Sequence, residues 1–208
     1  MSITHTKASE LKQRTDAELI HAAREGDHRA FTALVRRYEE TVYRFSFKVC
    51  RDEQQAAETL QDTFVNVFRK LSSFDGKSKF STWLFTIVTN NCLMKHRRRK
   101  SSAIEEPLEM YDEPPDHEKG PHRPRVARWD KTPEDLLIDS ELREQLDAAI
   151  QKLPVDYRVV FVLRDIEGNS AEETARVLGI SIEATKSRLR RARAFLKSRL
   201  DNYLRIHP

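Results

Sequence analysis

SAEETARVLGISIEATKSRLRRARAFLKSR, residues 170–199, reads as two helices joined by a tight turn, with positive charge crowded onto the second. Ser170 can cap the first helix, and Glu173 stands three residues on, the spacing of a capping box. Ala171, Thr174, Ala175 and Leu178 recur at helical intervals. Gly179 falls where a left-handed stop residue is wanted, and Ser181 can cap the next helix. There Ile182, Thr185, Leu189, Ala192 and Leu196 lie along one face. Residues 181–199 hold seven Lys or Arg against one acid, Glu183. A short helix, a glycine turn and a basic second helix describe a helix-turn-helix, which lays its second helix in the DNA major groove. The bland alternative is a solvated basic face on a helical hairpin.

Working outward, residues 133–168 supply two more helices. Thr132-Pro133-Glu134-Asp135 starts one, with Pro133 at its first position. Leu136, Leu137, Leu142, Leu146, Ala149, Ile150 and Leu153 face inward, and Pro154 ends it. Val155 to Glu167 forms the next and ends at Gly168. Upstream, residues 101–132 change character: six of the eight prolines lie between 107 and 133. Seven acids and no Lys or Arg fall from Ser101 to Glu118, then five basic residues from Lys119 to Lys131. That pattern predicts a flexible or extended linker.

Residues 15–100 read as a second helical domain. Asp16 can cap a helix over Ala17 to Arg24, which ends at Gly26. Asp27 can cap a longer one, where Phe31, Leu34, Val35, Tyr38, Val42, Phe45 and Val49 form an apolar stripe. Asp52 with Gln55 marks a third start, with Ala57, Leu60, Phe64, Val67, Phe68 and Leu71 expected inward. Its other face shows Glu58, Gln61, Asp62 and Asn66. The loop SSFDGKSK, residues 72–79, contains the turn signal Asp75-Gly76. The segment after it begins apolar and aromatic and ends in Lys95, Arg97, Arg98, Arg99 and Lys100. Part of that run suits a helix C-terminus. Five cations in six residues exceed what capping needs and suit a polyanion. Trp83 reads as core or as a platform for an unstacked base. Asn90 and Asn91 read as base-edge contacts or as solvent-facing polar residues.

The expected architecture is therefore all-α: residues 1–14 without structure, a domain over 15–100, a charged Pro-rich linker over 101–132, and a domain over 133–205 containing the helix-turn-helix. The chain has 208 residues and a net charge of +4. MSITHTKASELKQRT has no apolar core, so no signal peptide is expected. The longest uncharged run, Phe80 to Met94, is too short and polar to span a bilayer. Cys50 and Cys92 follow no metal or disulfide spacing. Inert reduced thiols are the expectation and redox sensing the alternative. No HExxH, P-loop or GxGxxG occurs, and the histidines are scattered. No metal, cofactor or enzymatic activity is expected.

The chain resembles the extracytoplasmic-function sigma factors, the minimal class of the bacterial sigma-70 family. The resemblance rests on GDHRAFTALVRRY (26–38), AAETLQDTFVNVFRKLSSF (56–74), FSTWLFTIVTNN (80–91), LPVDYRVVFVLRDIEGNSAEETARVLGIS (153–181) and ATKSRLRRARAFL (184–196). One departure stands at Glu58-Thr59, where this class usually carries two adjacent acids; the linker is also longer than usual. The resemblance implies that Glu58, Gln61, Asp62 and Asn66 contact core RNA polymerase. It implies that the loop 72–79 and the following helix take the opened −10 element, with Phe74, Lys77, Lys79, Asn90, Asn91, Lys95, Arg97 and Arg98 as candidates. It implies that the helix-turn-helix reads the −35 duplex. There Lys186, Ser187, Arg190 and Arg191 face outward and suit base edges, while Arg188 and Arg193 suit phosphates. It implies a cytoplasmic protein held in check by an anti-sigma factor, sometimes at the inner face of the membrane. The competing reading is an autonomous helix-turn-helix regulator that works without polymerase.

Overall fold

The computed structural model describes residues 13–99 and 133–206, with side chains over 13–98 and 141–200. The expectations for residues 1–12, for the linker 101–132 and for Lys100 lie outside the described residues. The described residues are helical, without strands, and the chain divides into two compact units.

In the first unit, α1 (Asp16–Arg24), α2 (His28–Cys50), α3 (Glu53–Lys70) and α4 (Phe80–Arg99) pack around one core. Each helix start has a chemical reason. Thr15, not Asp16, caps α1: its Oγ1 accepts from Glu18 N at 3.3 Å, and the Glu18 carboxylate accepts from Thr15 N at 2.7 Å. Both residue types cap well, but only Thr15 has Glu at the third helical position. Asp27 caps α2 through Arg29 N and Ala30 N, and Asp52 caps α3 through Gln55 N at 2.7 Å. The Asp16 carboxylate leaves capping for packing: it takes Arg37 at 2.6 Å and the Tyr38 hydroxyl, tying α1 to α2. Burial and that bond push the Tyr38 phenol well above its ordinary range.

The stripe of α2 packs inward through Leu34, Val42, Phe45 and Val49. At about 1.5–3 kcal/mol for each large apolar side chain, such burial is what holds helices of this length together. The inward face of α3 differs from expectation. Ala56, Thr59, Thr63 and Val67 are buried, whereas Ala57 and Phe68 are exposed. The Thr63 hydroxyl is satisfied by Asn91, and the Thr59 hydroxyl lies 3.8 Å from Cys50 Sγ, so two polar residues are tolerated in the core. Phe68 instead covers the surface edge-on to Phe31, with ring centroids 5.1 Å apart, and stacks near His28. Arg51 ends α2 in the left-handed region, at φ 63°.

In the second unit, α5 (Pro133–Lys152), α6 (Val155–Phe161) and α8 (Ile182–Ile206) pack together. The helix begun by α6 closes in a wide π turn, Val162–Ile166, before Gly168 at φ 71°. Arg158 is 2% exposed and donates from its guanidinium to the Leu153 carbonyl at the end of α5, with Nε at 3.2 Å. Asn169 bonds the Leu163 carbonyl through both backbone N–H and side-chain amide, at 2.9 and 3.1 Å. Between these elements α7 spans Ala171–Leu178.

Candidate nucleic-acid interface

The helix-turn-helix forms as its sequence predicts. Ser170 Oγ accepts from Glu173 N at 3.0 Å, and Glu173 returns the bond to Ser170 N at 2.8 Å. Gly179 takes φ 64°, and Ser181 Oγ caps α8 through Ala184 N at 3.0 Å. On α8, Thr185, Leu189, Ala192 and Leu196 are buried, so the cationic side is left outward. Lys186, Arg190 and Arg193 are exposed; Ser187, Arg188 and Arg191 are half-buried beside them. Arg193 is held by both oxygens of Asp165 in the π turn, at 2.9 and 2.7 Å. That bidentate fork fixes the guanidinium on α8.

A second candidate surface lies in the first unit, where α3 meets α4. A cleft of about 500 Å³ is lined by Asn66 and Lys70 of α3 and by Trp83, Thr86, Ile87, Asn90, Asn91, Leu93, Met94 and Arg97 of α4. Its volume falls in the range of small-ligand sites and leaves room for a planar ring system. Apolar walls, an indole, three side-chain amides and two cations are the groups that hold an unstacked base and its phosphate. The structure thus brings Asn90, Asn91 and Arg97 together with Asn66. Sequence reasoning passed over Lys70, Thr86 and Met94 and left Trp83 between two readings. The signal was present: 83, 87, 90, 94 and 97 form one stripe of α4, and 66 and 70 are neighbours on α3.

The other −10 candidates stand elsewhere. Phe74 is buried in an aromatic cluster, with ring centroids 5.7 Å from Phe80 and 5.3 Å from Trp83. Arg24 fixes the same turn by donating to the Leu71 and Phe74 carbonyls. Lys77 and Lys79 are exposed on the loop before α4, and Arg98 is exposed near its end. The Asp75 carboxylate accepts from Lys77 N at 3.0 Å, and this bond, with the Lys77 ammonium, holds it below the usual carboxylate range.

Lys95 joins two sets of candidates that the sequence kept apart. Its ammonium lies 3.0 Å from Asp62 and 3.4 Å from Glu58, both on the exposed face of α3. Burial works against the charge, but the bonds to Asp62 and Glu58 outweigh it and raise Lys95 above an ordinary lysine. Asn66 Nδ2 donates to Asn91 Oδ1 at 3.2 Å, so a further rung crosses from α3 to α4. Gln61 is exposed on the same face of α3. Thr59 is fully buried, and a carboxylate there would be desolvated. Among the described residues, no His, Cys, Asp and Glu cluster is placed to hold a metal ion, and no helix is long and apolar enough to cross a membrane.

Comparison with known proteins finds two matched regions along the chain. Residues 34–102 match the family described as Sigma-70 region 2, and residues 143–196 match Sigma-70, region 4. The RNA polymerase sigma-H factor of Pseudomonas aeruginosa is 31% identical over 200 residues, which cover 94% of this chain and 98% of that one. The ECF RNA polymerase sigma factor SigE of Mycolicibacterium smegmatis is 32% identical over 203 residues, 91% of this chain and 74% of that one. Among solved structures, CnrH in complex with the cytosolic domain of CnrY is similar with a TM-score of 0.62 at 28% identity, covering 90% of this chain and 97% of that one. With both regions matched in order and relatives aligned over most of their length, the chain belongs to the extracytoplasmic-function group of the sigma-70 family of RNA polymerase sigma factors.

Proposed function

We propose a residue-level division of labour for this sigma factor. The outer face of α3, with exposed Glu58, Gln61 and Asp62 and half-buried Asn66, docks on core RNA polymerase. The cleft between α3 and α4 takes a base of the opened −10 strand: Trp83 supplies a stacking wall, Asn90 and Asn91 reach base edges, and Arg97 holds phosphate. Lys77, Lys79 and Arg98 add charge along the strand. Because Lys95 is ion-paired to α3, its share in phosphate binding is small until those pairs open. Phe74 supports the cleft from below through Trp83 and reaches DNA only if the loop moves. On α8, Lys186, Ser187, Arg190 and Arg191 read the −35 duplex in the major groove, with Arg188 and Arg193 on phosphates.

The observation that carries this reading is the cleft at the α3–α4 junction. A chain that only bound duplex DNA would need the helix-turn-helix alone. An aromatic and amide-lined cleft beside cations answers a need that arises once strands are separated. The reading also places the protein in the cytoplasm, where polymerase is, without catalysis of its own. The similar CnrH was solved with the cytosolic domain of CnrY. That supports a protein partner for this chain, and the family resemblance makes it an anti-sigma factor, which would cover the polymerase-binding face.

Run-off transcription with core polymerase on a genomic promoter library tests the reading. Core-dependent initiation at a subset of promoters is expected, lost on Trp83→Ala or Asn90→Ala with core binding retained. An absence of initiation at any promoter would sink it. The autonomous-regulator alternative is disfavoured because residues 34–102 match a polymerase-associated region. Tight operator binding without core, in a gel shift, is the result that alternative requires.

A further inference from the structure

Cys50 and Cys92 are 42 positions apart in the chain, yet their sulfurs stand 3.3 Å apart. Cys50 is the last residue of α2 and is half-buried; Cys92 lies in α4 and is 2% exposed. A disulfide has an S–S distance of about 2.05 Å, so the observed contact must close by only roughly 1.2 Å. Both sulfurs sit on helices already packed together, so no segment has to unfold to bring them into reach. We propose that this pair is an oxidation site, which a hydroperoxide converts to an intramolecular Cys50–Cys92 disulfide that ties the end of α2 to the middle of α4.

The two cysteines divide the chemistry by their surroundings. The hydrogen bond with Cys50, then burial, hold the Cys92 thiol well above the ordinary thiol range. Cys50 is the sulfur a small oxidant can reach, and its neighbours include the Cys92 thiol and the Thr59 hydroxyl 3.8 Å away. In the first step the Cys50 sulfur attacks one peroxide oxygen. An S–O bond forms, the O–O bond breaks, and the alcohol (water, from hydrogen peroxide) leaves with the thiol proton. Cys50 is then a sulfenic acid. In the second step the Cys92 sulfur attacks the Cys50 sulfur. The S–S bond forms, the S–O bond breaks, and hydroxide leaves as water with the Cys92 proton. Two thiols and one hydroperoxide thus give a disulfide, an alcohol and water. The peroxide is reduced by the two electrons that the thiols lose. A dithiol reverses the change by exchange. In a reducing cytoplasm the pair rests as thiols, so the disulfide reports an oxidising episode.

The site is independent of how α3, α4 and α8 divide polymerase and DNA, and its test reads sulfur alone. The full chain is treated with hydrogen peroxide, quenched in acid, unfolded and alkylated, and its mass is measured. Untreated protein should take two alkyl groups, one for each of its two cysteines. Treated protein should take none, weigh two hydrogens less, yield one linked peptide pair containing Cys50 and Cys92, and recover both thiols in dithiothreitol. Cys92→Ser should stop at a Cys50 sulfenic acid trapped by dimedone, and Cys50→Ser should leave Cys92 open to alkylation after the same peroxide dose. The wild-type mass alone decides whether the bond forms, so an unfolded variant does not blunt the test. The proposal is overturned if treated wild-type protein still takes two alkyl groups, or if its disulfide joins two chains rather than one. Oxidation of Cys92 in Cys50→Ser as fast as in wild type would overturn the assigned order.

Discussion

In the proposed reading, two arginines of α8 divide base contact from phosphate contact. Arg191 is half-buried on the outward side, beside exposed Arg190. Arg193 is forked onto both oxygens of Asp165 and so is held in a fixed position. A fixed cation suits phosphate, which carries no sequence; a bidentate contact to a base edge discriminates by about 1–3 kcal/mol. Arg191→Ala should therefore relax preference at one or two base pairs of the upstream element in a binding-site selection. Arg193→Ala should lower affinity for all sequences by a similar factor. Uniform loss from Arg191→Ala would remove it from base reading. Arg158 makes a different kind of prediction. Its guanidinium is sealed in the second unit and satisfies the Leu153 carbonyl just after α5. Arg158→Met keeps the apolar stem but strands that carbonyl, at a cost of about 1–3 kcal/mol. Urea unfolding followed by circular dichroism should show the fall in midpoint.

Helix starts were the most legible feature of the sequence, because capping is a local event with few chemical solutions. Asp27, Asp52, Ser170 and Ser181 all cap as read. Thr15 rather than Asp16 caps α1 because only Thr15 has a Glu partner at the third helical position. Ser170→Ala should cost about 1 kcal/mol in the same urea experiment, since it deletes one half of a reciprocal pair. The Glu18 half of the α1 box carries a pH signature. The Thr15 backbone N–H, then the Thr15 hydroxyl, hold the Glu18 carboxyl below its ordinary value. A depressed carboxyl contributes stability above the unfolded pKa of about 4.3 and loses it as pH falls through the folded value. Carbon-detected NMR titration should place Glu18 below the other exposed glutamates, with the Thr15 amide moving along the same curve. Faces were less legible than starts. Thr59 and Thr63 occupy the core of α3 because groups on neighbouring helices meet their hydroxyls, Asn91 Nδ2 donating to Thr63 and Cys50 Sγ lying beside Thr59, and those partners are not in the helix's own sequence. The cleft stripe of α4 mixes indole, amide and guanidinium, so a search for apolar periodicity passes over it. The π turn has no local signature at all. It carries an extra residue per turn, and without it Asp165 would be rotated by roughly 100°, away from Arg193.

At the scale of the whole molecule, the two units offer separate, modest grips on nucleic acid. Neither is large, and their joint specificity depends on a partner that fixes the distance between them. The chain alone should bind promoter DNA weakly, with affinity falling steeply with salt, by close to one power of salt for each phosphate neutralised. With core polymerase, fluorescence anisotropy should show tighter binding confined to one spacing between upstream and downstream elements. Equal affinity with and without core would contradict this. The sequence already foretold two helical units from their separate apolar stripes and the proline-rich charged stretch between them. It did not foretell that Lys95 answers to Glu58 and Asp62, since that closure needs α3 and α4 side by side. A cation shared in this way makes the two faces thermodynamic neighbours. Any partner that draws on Glu58 and Asp62 competes with Lys95 for them, and any polyanion that draws on Lys95 competes with them in turn. By linkage, the factor by which polymerase changes DNA affinity through this triad equals the factor by which DNA changes polymerase affinity.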